Sequence, residues 1–225
     1  MNELRHVAIV PDGNRRWARG KGKTTLEGHR IGVETMEKIL KKCFDLGIQQ
    51  VSFWALSTEN LKRSEDEVGY LFKLFNNYLN RFFSEFGKDD YKASIKFHGD
   101  LVKLPKKLLE NIRKIEEQTK GQGERKLNVM IAYGGRFELQ EAFKKILKSG
   151  EKDISEDLIR RNLFVKDDVD LVIRTGMRRR LSGLMPFQTA YSELYFTDTL
   201  WPDFTVEELE KAVEWFYSVK RNFGK

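Results

Sequence analysis

The sequence predicts one α/β domain over residues 1–225, built on a central, mainly parallel sheet of six strands flanked by helices. Three observations predict it. Short apolar segments alternate with helix-period patterns along the chain, as in right-handed β-α-β crossovers. The length of 225 residues, 40% of them hydrophobic and 12% aromatic, supports one sizeable core without a second domain. Clusters of polar and cationic residues follow four of the apolar segments, at the carboxyl ends where an open parallel sheet gathers its ligand.

The first strand is predicted at 7–10, from Val7-Ala8-Ile9-Val10, and stops at Pro11. Asp12-Gly13-Asn14-Arg15-Arg16-Trp17 follows, and a helix is predicted at 28–46 with Gly47 as its stop. A strand at 51–55 leads to a helix at 65–86, where Ser64-Glu65-Asp66-Glu67 fits a capping box and Gly87 marks the end. That helix carries Leu71, Phe72, Phe75, Leu79, Phe82, Phe83 and Phe86 at spacings near three and four, the mark of ordinary core or of a deep apolar cavity's wall. A strand at 94–97, a helix at 105–120, an exposed turn at 120–124 and a strand at 127–132 come next. Helices at 136–148 and 155–162 precede a strand at 171–173, and Leu194-Tyr195-Phe196 reads as the sixth strand, at an edge. Thr205-Val206-Glu207-Glu208 fits a second capping box and opens the last helix, 205–221.

Composition narrows the function. Forty-one basic against 34 acidic residues give a net charge of +7, which favours an anionic ligand. The lone Cys43 excludes both a disulfide framework and a thiolate metal site, and the three histidines lack zinc-site spacing. No apolar run approaches the ~20 residues of a membrane crossing, and no leading apolar stretch precedes the first strand, so a cytoplasmic protein is expected, with contact at a membrane surface left open. Neither the phosphate loop of nucleotide triphosphatases nor the dinucleotide fingerprint occurs. Aromatic residues fall in buried-looking stripes and do not interleave with a basic surface, which speaks against nucleic acid as the partner.

The polar junctions carry the chemistry. After the first strand come Asp12, Asn14, Arg15, Arg16 and Arg19; after the second, Ser57, Thr58, Glu59, Asn60 and Arg63; after the fourth, Tyr133-Gly134-Gly135-Arg136; after the fifth, Arg174, Arg178, Arg179, Arg180 and Ser182. Asp12 fits a Mg²⁺ ligand, since magnesium takes one carboxylate together with phosphate oxygens, and fits an Asx-turn equally well. Arg16, Arg63, Arg174 and Arg180 suit bidentate bonding to phosphate, although any one of them also suits a solvated surface. Ser182 adds a hydroxyl to the same anion or caps a turn. His29, at the start of a predicted helix facing Asp12, suits phosphate binding, proton transfer or a structural bond. Glu193 reads as a second metal carboxylate, as a base or, by composition, as a salt-bridge partner.

These motifs resemble those of the cis-prenyltransferases, the Z-type isoprenyl diphosphate synthases. The resemblance covers residues 5–224 and rests on His6 to Ala18, Glu27-Gly28-His29, Ala55 to Asn60, Gly99-Asp100, Tyr133 to Arg136, Asp170 to Gly176, Arg180-Leu181-Ser182, Gln188 to Phe196, Trp201 to Phe204 and Arg221 to Gly224. It implies a homodimer whose subunits hold a hydrophobic tunnel, Mg²⁺ as cofactor, and extension of an allylic diphosphate such as farnesyl diphosphate by isopentenyl diphosphate with a new cis double bond. By the same resemblance Asp12 is the metal-associated aspartate. Gly13, Asn14, Arg16 and His29 belong with the allylic diphosphate, Arg15, Trp17 and Arg63 with substrate binding in general, Ser57 and Asn60 with the reacting centre, and Arg174, Arg180 and Ser182 with isopentenyl diphosphate. Glu193 matches a further metal-linked acid near the subunit interface. The expected product is an undecaprenyl or related chain for lipid-carrier synthesis. The rivals are a short-chain Z-prenyl diphosphate synthase and a non-catalytic partner subunit. The chain departs from the pattern at Arg15, often Gly in bacterial relatives, at Leu61 for a frequent Trp, at Arg178 for Glu, at Gly183 for Asn and at Pro186-Phe187 for Leu-Trp. These departures bear on substrate size, metal affinity and acceptor.

Overall fold

The computed structural model describes residues 3–86 and 92–221, apart from the side chains of 80–86. Six strands form one sheet in the order β3-β4-β2-β1-β5-β6: β1 His6–Val10, β2 Gln50–Trp54, β3 Ala93–His98, β4 Arg125–Met130, β5 Leu171–Arg174 and β6 Glu193–Phe196. Every pairing is parallel, so the sheet is more uniform than "mainly parallel" predicts. Among the described residues, six α-helices lie between the strands and a seventh follows β6: α1 Asn14–Gly20, α2 Thr25–Asp45, α3 Glu65–Phe86, α4 Lys106–Gln118, α5 Gly135–Ser149, α6 Glu156–Asn162 and α7 Val206–Ser218.

Strand period decides which side chains meet. Val7, Ile9, Val51, Phe53, Ile95, Phe97, Leu127, Val129, Leu171 and Ile173 point to one face and build the larger core with residues of α2, α3, α4 and α7. Ala8, Val10, Trp54, Met130 and Val172 point to the other face and join Tyr133, Val165, Leu184 and Met185 in a smaller core. Burial of both faces explains why the strands read as continuous apolar runs. At the β3 edge, the outward Ile95 and Phe97 amides donate to Thr119 Oγ1 (3.2 Å) and Glu116 Oε1 (2.9 Å) at the end of α4. The edge is thereby closed to a further strand.

The predicted elements agree with the structure to within a few residues. α2 starts three residues earlier than predicted because Thr24 and Glu27 form a reciprocal capping box. Thr205 and Glu208 form the one predicted for α7. Only half of the predicted Ser64–Glu67 box is present: Ser64 Oγ accepts from the Glu67 amide at 3.4 Å, while the Glu67 carboxylate turns toward His29 and Arg63. The predicted stop at Gly87 lies outside the described residues, as do the side chains of Phe82, Phe83 and Phe86 and the terminal Asn222-Phe223-Gly224.

β1 and β5 are neighbours whose chains leave the sheet in opposite directions, β1 toward β2 and β5 toward β6. The crevice at their carboxyl ends is a topological switch point, which places Asp12 and Arg174 side by side.

Candidate active site

The site grows from the end of β1. Gly13 sits at φ 124°, and a Cβ there would lie 2.9–3.0 Å from Leu200, so only glycine makes this turn. α1 starts at once, and because the glycine offers no side-chain cap, the first amides of the helix stay open toward the crevice. Trp17 is the first residue to bond back, from its amide to the Gly13 carbonyl at 2.8 Å.

Asp12 is the junction of the site. Arg16 Nη2 donates to its Oδ1 and Arg174 Nη2 to its Oδ2, both at 3.0 Å. The Asp12 carbonyl accepts from Thr175 Oγ1 at 2.8 Å and from the Trp201 amide at 3.0 Å, which ties the end of β1 to β5 and to the turn before α7. Arg174 is buried, with 5% of its side chain exposed, and also donates to Ser182 Oγ at 2.7 Å and to the Arg180 carbonyl. Arg180 Nε reaches the same hydroxyl at 3.4 Å. Arg174, the last residue of β5, thus links Asp12 to Ser182 and Arg180 of the loop that follows.

Two polar chambers share the wall made by Pro11, Asp12, Asn14, His29 and Arg63. One, of ≈ 840 Å³, also reaches Ser57, Asn60, Leu71, Arg174 and Ser182; the other, of ≈ 670 Å³, reaches Gly13, Arg15, Arg16 and Arg19. Ser57 and Asn60 lock each other: the Ser57 amide donates to Asn60 Oδ1 and the Asn60 amide to Ser57 Oγ, each at 3.1 Å. Behind Asn14 and His29 a narrow apolar compartment opens between the sheet, α2 and α3, lined by Met36, Phe53, Leu71, Leu74, Phe75 and Trp201 among others. Leu71 and Phe75 therefore face this cavity, whereas Leu79 packs into the core. The helical stripe serves both of the roles that its pattern allows.

Glu67 is the residue that sequence reasoning missed. Its Oε1 lies 2.9 Å from Arg63 Nη1, 3.3 Å from His29 Nε2 and 3.9 Å from Arg15 Nε, so one carboxylate holds three basic side chains at the mouth of α3. The available signal was its place four residues after Arg63. Burial lowers the pKa of His29, opposed by the bond to Glu67, with Arg63 and Arg15 lowering it further. Among the predicted site residues, the structure does not bring Trp17, Arg180 or Glu193 to the walls of the chambers; Arg180 is exposed and its side chain joins the site only through its bond to Ser182. Trp17 is buried beneath α1. Glu193 begins β6, at the opposite end of a parallel strand, and pairs with Arg221 at 3.5 Å. No group of three metal-ligating side chains occurs among the described residues.

Comparison with known proteins gives the site its class. A family model described as "Putative undecaprenyl diphosphate synthase" matches residues 10–224. An isoprenyl transferase of Campylobacter jejuni (strain RM1221) is 38% identical, covering 100% of both chains. A tritrans,polycis-undecaprenyl-diphosphate synthase (geranylgeranyl-diphosphate specific) of Archaeoglobus fulgidus is 39% identical, covering 94% of this chain and 88% of its own. The crystal structure of lavandulyl diphosphate synthase from Lavandula x intermedia, in complex with dimethylallyl diphosphate, matches with a TM-score of 0.94 at 32% identity, covering 98% of each chain. Fold and matches together define an enzyme that transfers prenyl groups. The chain belongs to the cis-prenyltransferase family of undecaprenyl diphosphate synthase-like proteins, which condense isoprenoid units into a polyprenyl diphosphate by metal-dependent catalysis.

Proposed function

We propose that this chain condenses isopentenyl diphosphate with an allylic diphosphate such as farnesyl diphosphate, forming a cis double bond at each step, and delivers an undecaprenyl-type chain for lipid-carrier synthesis. The observation that carries this reading is the Asp12 carboxylate held between Arg16 and Arg174, one from each polar chamber. Two diphosphates bound in those chambers meet at Asp12, and a prenyl tail then has the apolar compartment behind Asn14 and His29 to enter.

In this reading Gly13, Asn14, Arg15, Arg16, His29 and Arg63 bind the allylic diphosphate, while Arg174, Arg180 and Ser182 hold isopentenyl diphosphate in line with it. Ionisation of the allylic carbon–oxygen bond builds charge on the leaving diphosphate, which Arg16 and the open amides of α1 stabilise where they already stand. The alkene of isopentenyl diphosphate attacks the allylic cation, and loss of a proton from the next carbon restores the double bond. Ser57 and Asn60, fixed by their mutual bonds, line the junction where the two hydrocarbon ends meet. Each added unit brings five apolar carbons, so burial favours elongation by ~3–4 kcal/mol for as long as the compartment accepts them.

The donor set fits Mg²⁺. A carboxylate oxygen at the chamber junction, with no thiolate beside it and with the nearby His29 imidazole bonded to Glu67, suits a hard cation that takes its remaining ligands from diphosphate and water. Asp12 would hold the ion, which when bound supplies positive charge to the diphosphate oxygens. Glu193 would join a metal site only across a contact between subunits, in keeping with a homodimer. We place the enzyme in the cytoplasm with its surface touching the membrane that receives the product; no helix among the described residues is long and apolar enough to cross one.

The test is incubation with Mg²⁺, labelled isopentenyl diphosphate and geranyl, farnesyl or geranylgeranyl diphosphate, followed by product sizing. Products of ten or more units support the proposal; products confined to two or three units establish the short-chain rival. Asp12→Ala is expected to cut turnover at least ~10²–10³-fold with the fold intact, and unchanged turnover removes its role.

A further inference from the structure

Arg15 and Arg19 are one turn apart on the same side of α1, and both line the chamber at its start. The other arginines of that chamber already have carboxylates: Arg16 holds Asp12, and Arg15 and Arg63 hold Glu67. His29 also bonds to Glu67. Arg19 lines the same space, is exposed, and has no carboxylate partner among the described residues. Four arginines facing the carboxylates of Asp12 and Glu67 leave positive charge in excess, and Arg19 is the part of that excess that no internal ion pair ties down.

Position gives this charge a particular task. Arg19 stands about 6 Å farther along the helix axis than Arg15, away from the junction with the second chamber. The carbon–oxygen bond that breaks must lie at that junction, because there the two chambers and the apolar compartment share Asn14 and His29. The phosphoryl group nearest the carbon therefore meets Asp12, Asn14 and Arg16, and the distal group extends outward along α1. We infer that Arg19 reads the distal phosphoryl group of the allylic substrate and so makes this chamber specific for a diphosphate over a monophosphate. The inference rests on the proposed allylic site. Arg19 gives a charge-assisted bond to the distal group with no ion pair to break first. An allylic monophosphate cannot reach it.

The experiment compares calorimetric binding of farnesyl thiolodiphosphate, an unreactive diphosphate analogue, with that of farnesyl monophosphate, using the full-length protein. Arg19→Gln is expected to weaken the diphosphate analogue about tenfold and leave the monophosphate as it was, with Arg19→Lys recovering most of the loss. In turnover, the Arg19→Gln defect falls on KM for the allylic diphosphate and not on KM for isopentenyl diphosphate. Equal weakening of both analogues, or no weakening of either, overturns the inference alone, since the unaltered protein still binds. Binding of neither analogue by the unaltered protein overturns the allylic-site reading and the inference with it.

Discussion

At the scale of single residues, His29 shows how environment sets chemistry. Its Nε2 faces the Glu67 carboxylate at 3.3 Å and burial holds its pKa below the ordinary 6.5, so near pH 7 the ring is neutral with its proton on Nε2. Nδ1 then carries a lone pair and cannot donate to phosphate. If His29 grips the allylic diphosphate, it must first gain a proton, and a polyanion in place of solvent supplies the reason to do so. Binding of a diphosphate analogue near pH 7 is therefore expected to take up a fraction of a proton, and affinity to weaken as pH rises. Calorimetry in buffers of different ionisation enthalpy measures that uptake, which His29→Gln should abolish; zero uptake in the unaltered protein removes the phosphate role from His29. Much of this site was legible, because Asp12, Asn14, Ser57, Asn60, Arg63 and Arg174 all lie at or after the carboxyl ends of strands, and a parallel sheet brings such positions together. Glu67 was not, because a Ser-x-x-Glu spacing is the same for a helix cap and for a carboxylate that turns away from it.

At the scale of elements, the site depends on how closely α1 lies on α2. A Cβ built at Gly28 would sit 2.4 Å from the Asn14 carbonyl oxygen and 3.0 Å from Ala18 Cβ, and one at Gly32 would sit 2.3 Å from Asn14 Oδ1. The second clash involves the tip of a side chain and can be relieved by rotation. The first involves backbone and cannot, so Gly28→Ala must push the start of α1 away from α2. A loss of ~1–3 kcal/mol is expected, read as a lowered urea midpoint, together with a rise in KM for the allylic diphosphate larger than that for isopentenyl diphosphate. Equal KM values for the variant and the unaltered protein would mean that α1 placement does not govern the allylic chamber. α1 itself escaped the sequence reading for a physical reason. It has seven residues, too few for an apolar period to repeat, and its N-cap is a glycine with no side chain to cap it. α3, with 22 residues and three acidic side chains in its first turn, was predicted to its observed bounds.

At the scale of the whole molecule, a chain of polar side chains crosses four of the six strands on the smaller-core face. His6 Nδ1 lies 2.8 Å from the Asp168 carbonyl, to which it can only donate; its Nε2 therefore accepts from Ser52 Oγ at 2.8 Å. Ser52 Oγ accepts in turn from Asn128 Nδ2 at 3.1 Å, and Asn128 Oδ1 from His98 Nε2 at 3.1 Å. Each bond points the same way, and His6 must stay neutral for its Nε2 to accept, whereas His98 donates through Nε2 in either state. Sequence reading found no use for His6 or His98, because neighbours on adjacent strands are set by register and not by spacing along the chain. Burial pushes both rings down to about 4, against an ordinary 6.5. The sign follows: between those values the unfolded chain binds protons that the folded one refuses, so stability is full above pH 6.5 and falls as pH drops toward 4. The loss is of order 3 kcal/mol for His6, and His98 adds to it in the same direction. Urea midpoints measured from pH 7 to pH 4 should trace that fall. His6→Phe lowers stability at pH 7 by breaking the chain, yet it should flatten the curve below pH 6.5, because the ring that refuses the proton is gone. A variant curve parallel to that of the unaltered protein would show that acid sensitivity lies elsewhere, in the carboxylates, and that this polar crossing carries no pH dependence of its own.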